Sequence, residues 1–362
     1  MTTARPQIGL ASNQHVRDVY IDQADLDRLR EFADFHWQEF NESTSWDAPP
    51  QASTGVEAEL SEFVRGLDGL VVCHGAPRVT ENVLGATRRL TIVGELEGDR
   101  FAQRIDVAAA AARSVTAVDT THGSSYPVSE WALAMMMIGL RNAGAQFRRL
   151  ISGAEWPGQE ERMSNPGYLN GELTGKRVGL IGCGYIGRRL LELLEPFHVD
   201  VLAHDPYVPK EVADIYGITL TSLDNVLSLP DVVVCLAPLT PATRGMLGRR
   251  EFGLLKPGAV FVNVSRGPIV QTDALIERLE AGDVIACLDV FDPEPMPVDS
   301  PVRSMDNVFL TPHIAGVTAK SRTRFFSLMV DEMERFFAGH QTRHDLAPRT
   351  LANRQGEPPP AS

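Results

Sequence analysis

Short apolar runs alternate with amphipathic stretches along most of the chain. Residues 7–10 (QIGL) open as a strand, and 24–35 carry apolar positions at helical spacing with charges between them. Residues 69–73 (GLVVC) form a buried-strand run that ends at His74-Gly75-Ala76-Pro77, a sharp loop. Strand signals recur at 89–93 and 115–118, and the alanine-rich 106–113 between them is helical by propensity. One long helix is expected over 128–151, followed by a polar segment, 152–175. Six strand runs follow, at 178–181, 199–203, 232–236, 260–264, 285–290 and 308–310. Strands alternating with helices predict parallel, helix-covered sheets. The stretch 343–362 holds four prolines and few apolar residues, and is expected to stay disordered.

Length and composition narrow the class. A chain of 362 residues exceeds one ordinary core, so two domains are expected. The longest apolar run, 131–140 (WALAMMMIGL), falls short of the roughly 20 residues that cross a bilayer. The first residues, MTTARP, carry no apolar leader, which points to a soluble cytoplasmic protein. Cys73, Cys183, Cys235 and Cys287 are widely spaced, so neither a metal site nor a disulfide framework is expected. A net charge of −13 argues against nucleic acid and anionic membranes as partners.

The second region opens with a specific pattern. An apolar strand, RVGLI, runs into Gly182-Cys183-Gly184-Tyr185-Ile186-Gly187 and then into an amphipathic helix. The first glycine permits a tight turn, the second lets backbone approach a pyrophosphate, and the third lets helix and strand pack closely. N–H groups at the helix start then hold the phosphates. The next strand ends at Asp205-Pro206. An acid there accepts from the ribose hydroxyls and repels the 2′-phosphate of NADP, so NAD is the expected cofactor. The turn Leu236-Ala237-Pro238-Leu239-Thr240 follows another strand and is expected at a ribose, although an ordinary proline turn reads the same way.

Three polar residues stand past further strands: Arg266 in NVSRG, Glu294 in LDVFDPEP and His313 in LTPHIAG. Hydride transfer to a 2-keto acid needs a fixed cation for the carboxylate, and a guanidinium fork matches it. It needs a proton donor, a task that suits histidine. A carboxylate beside that histidine fixes its tautomer and stabilises imidazolium. Arg266, His313 and Glu294 fit these roles in that order. Singly they read equally as a surface ion-pair partner, a helix-entry residue and a solvated loop acid; jointly, at the strand ends of one sheet, they read as a site.

The stretches GKRVGLIGCGYIG (175–187), LTPATRGMLGRREFGLLKPGAVFVNVSRGPIV (239–270), LDVFDPEP (288–295) and NVFLTPHIAG (307–316) resemble the D-isomer-specific 2-hydroxyacid dehydrogenase family. Val128-Ser129-Glu130 resembles the family's Val-Ala-Glu at the start of its long helix. The resemblance implies an α/β architecture, with a Rossmann-type doubly wound coenzyme domain inserted into a flavodoxin-like substrate domain. The expected divisions are 1–122 and 313–342 for the substrate domain and 123–312 for the coenzyme domain, with a dimer arm near 128–175. Catalysis by Arg266, Glu294 and His313 in an interdomain cleft is implied, with Asp289 holding the nicotinamide carboxamide. The His74-Gly75-Ala76 loop would offer N–H groups to the substrate carboxylate, which Arg266 and His313 also contact. The expected coenzyme contacts are Gly182, Gly184, Tyr185, Ile186, Gly187, Asp205, Pro206, Ala237, Pro238, Thr243, Val264, Ser265, Arg266, Asp289, His313 and Gly316. A homodimer is implied as well. Formate dehydrogenases of the family pair histidine with glutamine, so Glu294 points to acid–base chemistry on a small hydroxy acid.

Two segments depart from the family pattern. The family's Gly-x-Gly-x-Asp-x-Ile-Asp stretch is replaced by Gly94-Glu95-Leu96-Glu97-Gly98-Asp99-Arg100 with Ile105-Asp106 further on. Asp119-Thr120-Thr121-His122-Gly123-Ser124-Ser125-Tyr126 stands where asparagine-containing versions are usual. Both bear on which acid is taken. The competing class is an NADH-sensing corepressor, which resembles these dehydrogenases and retains similar residues.

Overall fold

The protein, a computed structural model, is described over residues 5–43, 50, 53–97, 104–354 and 357. It divides into two compact units, Met1–Ser124 with Thr318–Gln355, and Ser125–Val317. The crossings expected at 122/123 and 312/313 therefore fall at Ser124/Ser125 and Val317/Thr318.

The first unit holds β1 (Gln7–Ser12), β2 (Asp34–Glu39), β3 (Gly69–Val72), β4 (Ile92–Glu95) and β5 (Thr116–Asp119). They form one parallel sheet in the order β2-β1-β3-β4-β5, the flavodoxin-like order. Leu70, Val72 and Val93 pack on one face of it, and Ile8, Leu10, Val71 and Ile92 on the other. β2 was not anticipated: the expected helix 24–35 ends at Phe32, and Phe35 is already in the strand. As an edge strand it leaves Asp34, His36 and Glu39 exposed, so its apolar signal is diluted.

The stretch 343–362 corrects an expectation. His344 O accepts from Asp119 N at 3.0 Å, and Leu346 N donates to Ala117 O at 2.8 Å, so the chain runs beside β5. Leu346 is buried in the first unit's core, and Pro348–Arg354 is helical. Backbone pairing and a single buried leucine supply the order that sparse apolar content concealed. Residues 355–356 and 358–362 lie outside the described residues.

The second unit holds β6 (Arg177–Ile181), β7 (Asp200–His204), β8 (Thr219–Leu220), β9 (Val232–Cys235), β10 (Val260–Asn263), β11 (Ile285–Leu288) and β12 (Val308–Leu310). Their order is β12-β11-β10-β9-β6-β7-β8, and all pairs are parallel. This is the doubly wound Rossmann order with one added strand. Side chains alternate between two covered faces: Val178, Val232, Val234, Val260 and Val262 enter one core, and Ile181, Val233, Cys235 and Phe261 the other. The register aligns Ile181 with His204 and Cys235, Cys235 with Asn263, Asn263 with Leu288, and Leu288 with Leu310. Six strands thus end in one row.

The long helix expected over 128–151 is two helices, Ser125–Leu140 and Ala143–Ile151. Asn142 breaks it at φ 45°, the left-handed region that asparagine tolerates better than most residues. Among the described residues no helix is long and apolar enough to cross a membrane.

Candidate active site

Every residue expected at the coenzyme in the second unit lies beyond that common row, on a loop or, for Tyr185, Ile186 and Gly187, on the first turn of the helix that follows β6. β6 leads into the glycine-rich turn and then into helix Tyr185–Leu194. The strand order reverses between β6 and β9, and the crevice at such a reversal is where open α/β sheets bind ligands. Gly182 sits there at φ 94°, and a Cβ on it would lie 2.9 Å from Ala237 N. A Cβ on Gly184, by contrast, would meet nothing within 4 Å. Gly184 also caps the helix with no side-chain bond to its N–H groups. One glycine is therefore closed against backbone and the next opens onto the start of the helix, which fits a pyrophosphate. Tyr185 is exposed, Ile186 half-buried and Gly187 buried.

Asp205 follows β7 and does two things within the protein. Oδ2 accepts from Cys183 N at 2.8 Å, inside the glycine-rich turn, and Oδ1 accepts from Tyr207 N at 2.9 Å. Pro206 beside it is exposed. Burial and the Asp205 charge push the Cys183 thiol up to about 11, so it stays protonated at neutral pH. After β9, Thr243 Oγ1 donates to Pro238 O at 2.6 Å and accepts from Thr240 N at 2.8 Å. The Thr243 hydroxyl therefore closes the turn that presents Pro238.

Arg266 follows β10 on a turn built by Asn263, which the sequence did not flag. Asn263 is buried; its Oδ1 accepts from Ser265 N at 3.1 Å, and its Nδ2 donates to Arg266 O at 3.4 Å. Ser265 Oγ donates to Ala237 O, tying this turn to the one after β9, and Val264 is buried beneath it. Arg266 is half-buried, and its Nη1 donates to Ser265 O at 2.8 Å. A Cβ on Gly267 would lie 1.7 Å from Phe291 O, so the Arg266 turn packs directly on the loop leading to Glu294. Thr272 Oγ1 donates to Asp292 O at 2.7 Å, and Arg303 donates to Pro297 O and Met296 O at 2.8 and 2.9 Å. The loop is held from both ends.

His313 Nδ1 meets Glu294 Oε1 at 2.5 Å. Both side chains are about a third exposed, at 33% and 38%, so the pair is reachable from solvent. A carboxylate only accepts, which places a proton on Nδ1 and leaves Nε2 as the ring nitrogen not engaged by Glu294. His313 has φ 53°, and Gly316 closes the same turn half-buried.

Asp289 follows β11. It is fully buried, and its oxygens accept from Thr311 Oγ1 at 2.5 Å, Ile314 N at 2.9 Å and Ala315 N at 2.9 Å. The carboxylate is turned into the segment around His313. A buried charge requires such donors, and here the protein supplies them.

In the first unit the His74-Gly75-Ala76 loop differs in part from expectation. Ala76 N donates to Cys73 O at 3.0 Å to close the turn, so it is not available to a ligand. Gly75 N donates to no acceptor among the described residues. His74 is held on both ring nitrogens: Nδ1 accepts from Arg104 Nη2 at 3.0 Å, and Nε2 lies 3.0 Å from Glu97 Oε2. Tyr20 OH donates to the same Glu97 oxygen, and Arg104 Nη1 donates to Glu95 Oε1 at 2.6 Å. Burial works against the Glu97 charge, but His74, Tyr20 and Arg104 together hold its carboxyl below the usual range. Glu95 and Glu97 belong to the atypical segment, of which residues 98–103 lie outside the described residues. Among the described residues no group of His, Cys, Asp and Glu could hold a metal ion.

Comparison with known proteins identifies the family. Residues 133–315 match the family model for the NAD binding domain of D-isomer specific 2-hydroxyacid dehydrogenases. The chain is 32% identical to D-3-phosphoglycerate dehydrogenase of Methanocaldococcus jannaschii over 80% of its own length and 53% of that protein. It thus spans about half the length of that relative. It is also 32% identical to the chloroplastic/mitochondrial formate dehydrogenase of Arabidopsis thaliana, over 79% of this chain and 73% of that one. Among solved structures, a phosphoglycerate oxidoreductase from Rhizobium etli shares the fold with a TM-score of 0.80 at 20% identity, covering 96% of this chain and all (100%) of that chain. The D-mandelate dehydrogenase of Rhodotorula graminis does so at 0.74 and 21%, covering 95% and 98%. The chain belongs to the D-isomer-specific 2-hydroxyacid dehydrogenase family, and its cofactor is NAD.

Proposed function

We propose that the protein transfers a hydride reversibly between NAD and a small 2-hydroxy or 2-keto acid, with His313 as acid/base. The observation that carries this is the 2.5 Å contact between His313 Nδ1 and Glu294 Oε1. NAD, when bound, supplies the two-electron hydride carrier. In reduction of a keto acid, C2 gains the hydride as the carbonyl π bond opens and its electron pair moves to oxygen. His313 Nε2–H gives that oxygen its proton, and the ionised Glu294 stabilises the imidazolium from which the proton leaves. Arg266 pairs with the substrate carboxylate and polarises the carbonyl. Oxidation of formate yields carbon dioxide and frees no hydroxyl proton, so it has no use for a carboxylate-backed histidine. The pair therefore supports a hydroxy acid over formate, although formate dehydrogenases are among the relatives.

The glycine-rich turn holds the pyrophosphate of the coenzyme in this reading, and Asp205 selects NAD over NADP. The first unit acts as the substrate domain and offers Gly75 N–H to the substrate carboxylate. The relatives named above are enzymes, which supports a dehydrogenase over a corepressor. A homodimer is part of the proposal, because Phe147, Leu150, Ile151, Trp156, Met163, Tyr168 and Leu169 expose apolar surface along 143–170. So is a cytoplasmic location, in keeping with four buried, unpaired cysteines.

The test follows absorbance at 340 nm with NADH and a panel of 2-keto acids from glyoxylate to branched and aromatic members. Turnover of one of them should fall at least about a hundredfold in His313→Ala, with NADH affinity nearly intact. A large loss of NADH binding in that variant would remove His313 from the acid/base role. No turnover across the panel would return weight to a sensor.

A further inference from the structure

His313 sits at φ 53°, in a region that residues with a β-carbon seldom occupy, and something must keep it there. The register of β11 against β12 pairs Leu288 with Leu310, which brings Asp289 beside Thr311 one step further on. From that position Asp289 collects the whole turn. Its carbonyl accepts from His313 N at 2.8 Å, and its carboxylate from Ile314 N and Ala315 N at 2.9 Å each. Three successive N–H groups end on one residue, a concave arrangement of the kind that holds an anion. Thr311 Oγ1 donates the remaining bond at 2.5 Å and accepts from Trp131 Nε1 at 3.4 Å.

We propose that Asp289 and Thr311 form a positioning pair that fixes the His313 turn and so keeps the imidazole against Glu294. The pair acts through His313 and need not touch the coenzyme. It rests on the acid/base assignment of His313 only in what it does for catalysis; the hydrogen bonds stand without it. The carboxylate is fully buried, with donors converging on both oxygens. Asparagine at 289 would turn an N–H toward a backbone donor, and valine at 311 would remove one donor while preserving shape.

Two readouts decide the matter. The first is kcat and NADH affinity for Thr311→Val, Thr311→Ser, Asp289→Asn and His313→Ala. The second needs no substrate: the imidazole N–H signals of 15N-histidine-labelled apo protein, with the His313 Nδ1–H signal assigned by its absence in H313A. In T311V we expect kcat to fall about tenfold or more, with NADH affinity within about twofold of wild type. The His313 Nδ1–H signal should shift or vanish, and T311S should restore both readouts. D289N should move them in the same direction, which covers the case in which T311V does not fold. An unchanged signal and unchanged kcat in T311V and D289N would overturn the pair, as would a loss confined to NADH affinity. If H313A keeps turnover, His313 is not the acid/base, and the N–H signal still scores the positioning by itself.

Discussion

At Asp205 one carboxylate braces the loop and, in the proposed function, selects the coenzyme, and the two uses can be separated by substitution. Oδ2 braces the glycine-rich turn through Cys183 N, while the charge faces the ribose in the proposed function. Asp205→Asn keeps one acceptor oxygen for Cys183 N but loses the charge and the acceptor facing Tyr207 N; Asp205→Ala loses all three. The asparagine variant should therefore relax the preference for NADH over NADPH by roughly tenfold, about 1.4 kcal/mol, with a smaller loss of NADH affinity than the alanine variant shows. The alanine variant should weaken both coenzymes as the turn loosens. Steady-state kinetics with each coenzyme measures this, and undiminished discrimination in D205N would remove the assignment. The loop positions of Asp205, Arg266 and His313 were legible because each follows a strand in a recognisable run. Asn263, Thr311 and the inward turn of Asp289 were not, because their partners are set by which strand ends lie side by side. That is a property of the folded sheet.

The same division holds for elements. Central strands such as Val232–Cys235 and Val260–Asn263 are buried on both faces and read as unbroken apolar runs. β2 and the run beside β5 are partly solvated, and the pattern failed there. The latter run is anchored by Glu332 on helix Ala319–Phe337, which accepts from Arg343 N at 2.8 Å and meets His344 Nδ1 at 2.8 Å. Burial opposes the Glu332 charge, but these two partners outweigh it and hold the carboxyl below its ordinary 4.5. A carboxylate depressed on folding adds stability above its unfolded value and loses it as pH falls through the folded one. Glu332→Gln should therefore cost about 1–2 kcal/mol at neutral pH, shrinking toward zero in acid. Urea unfolding as a function of pH checks it; a difference constant with pH would mean that the charge is not what anchors the run.

At the scale of the whole molecule, the apolar surface along 143–170 asks for a cover. A stable dimer buries about 1,600 Å² in total, and seven large exposed side chains in one stretch are a fitting nucleus. Sedimentation should find a dimer at micromolar concentration and a monomer for Ile151→Asp with Leu169→Asp; a monomeric wild type would discard the dimer. The row in which Ile181, His204, Cys235, Asn263, Leu288 and Leu310 end has a further meaning for how such a protein can change over generations. Whatever hangs past that row keeps its place as long as each strand keeps its length. A residue lost from β11 or β12 would retract its loop by about 3.3 Å and reverse the faces of its side chains. Lengthening a loop at the opposite, amino-terminal edge leaves the row where it is. Descendants of this chain are thus free to gain and lose residues along one border of the sheet, and bound to an almost fixed spacing along the other.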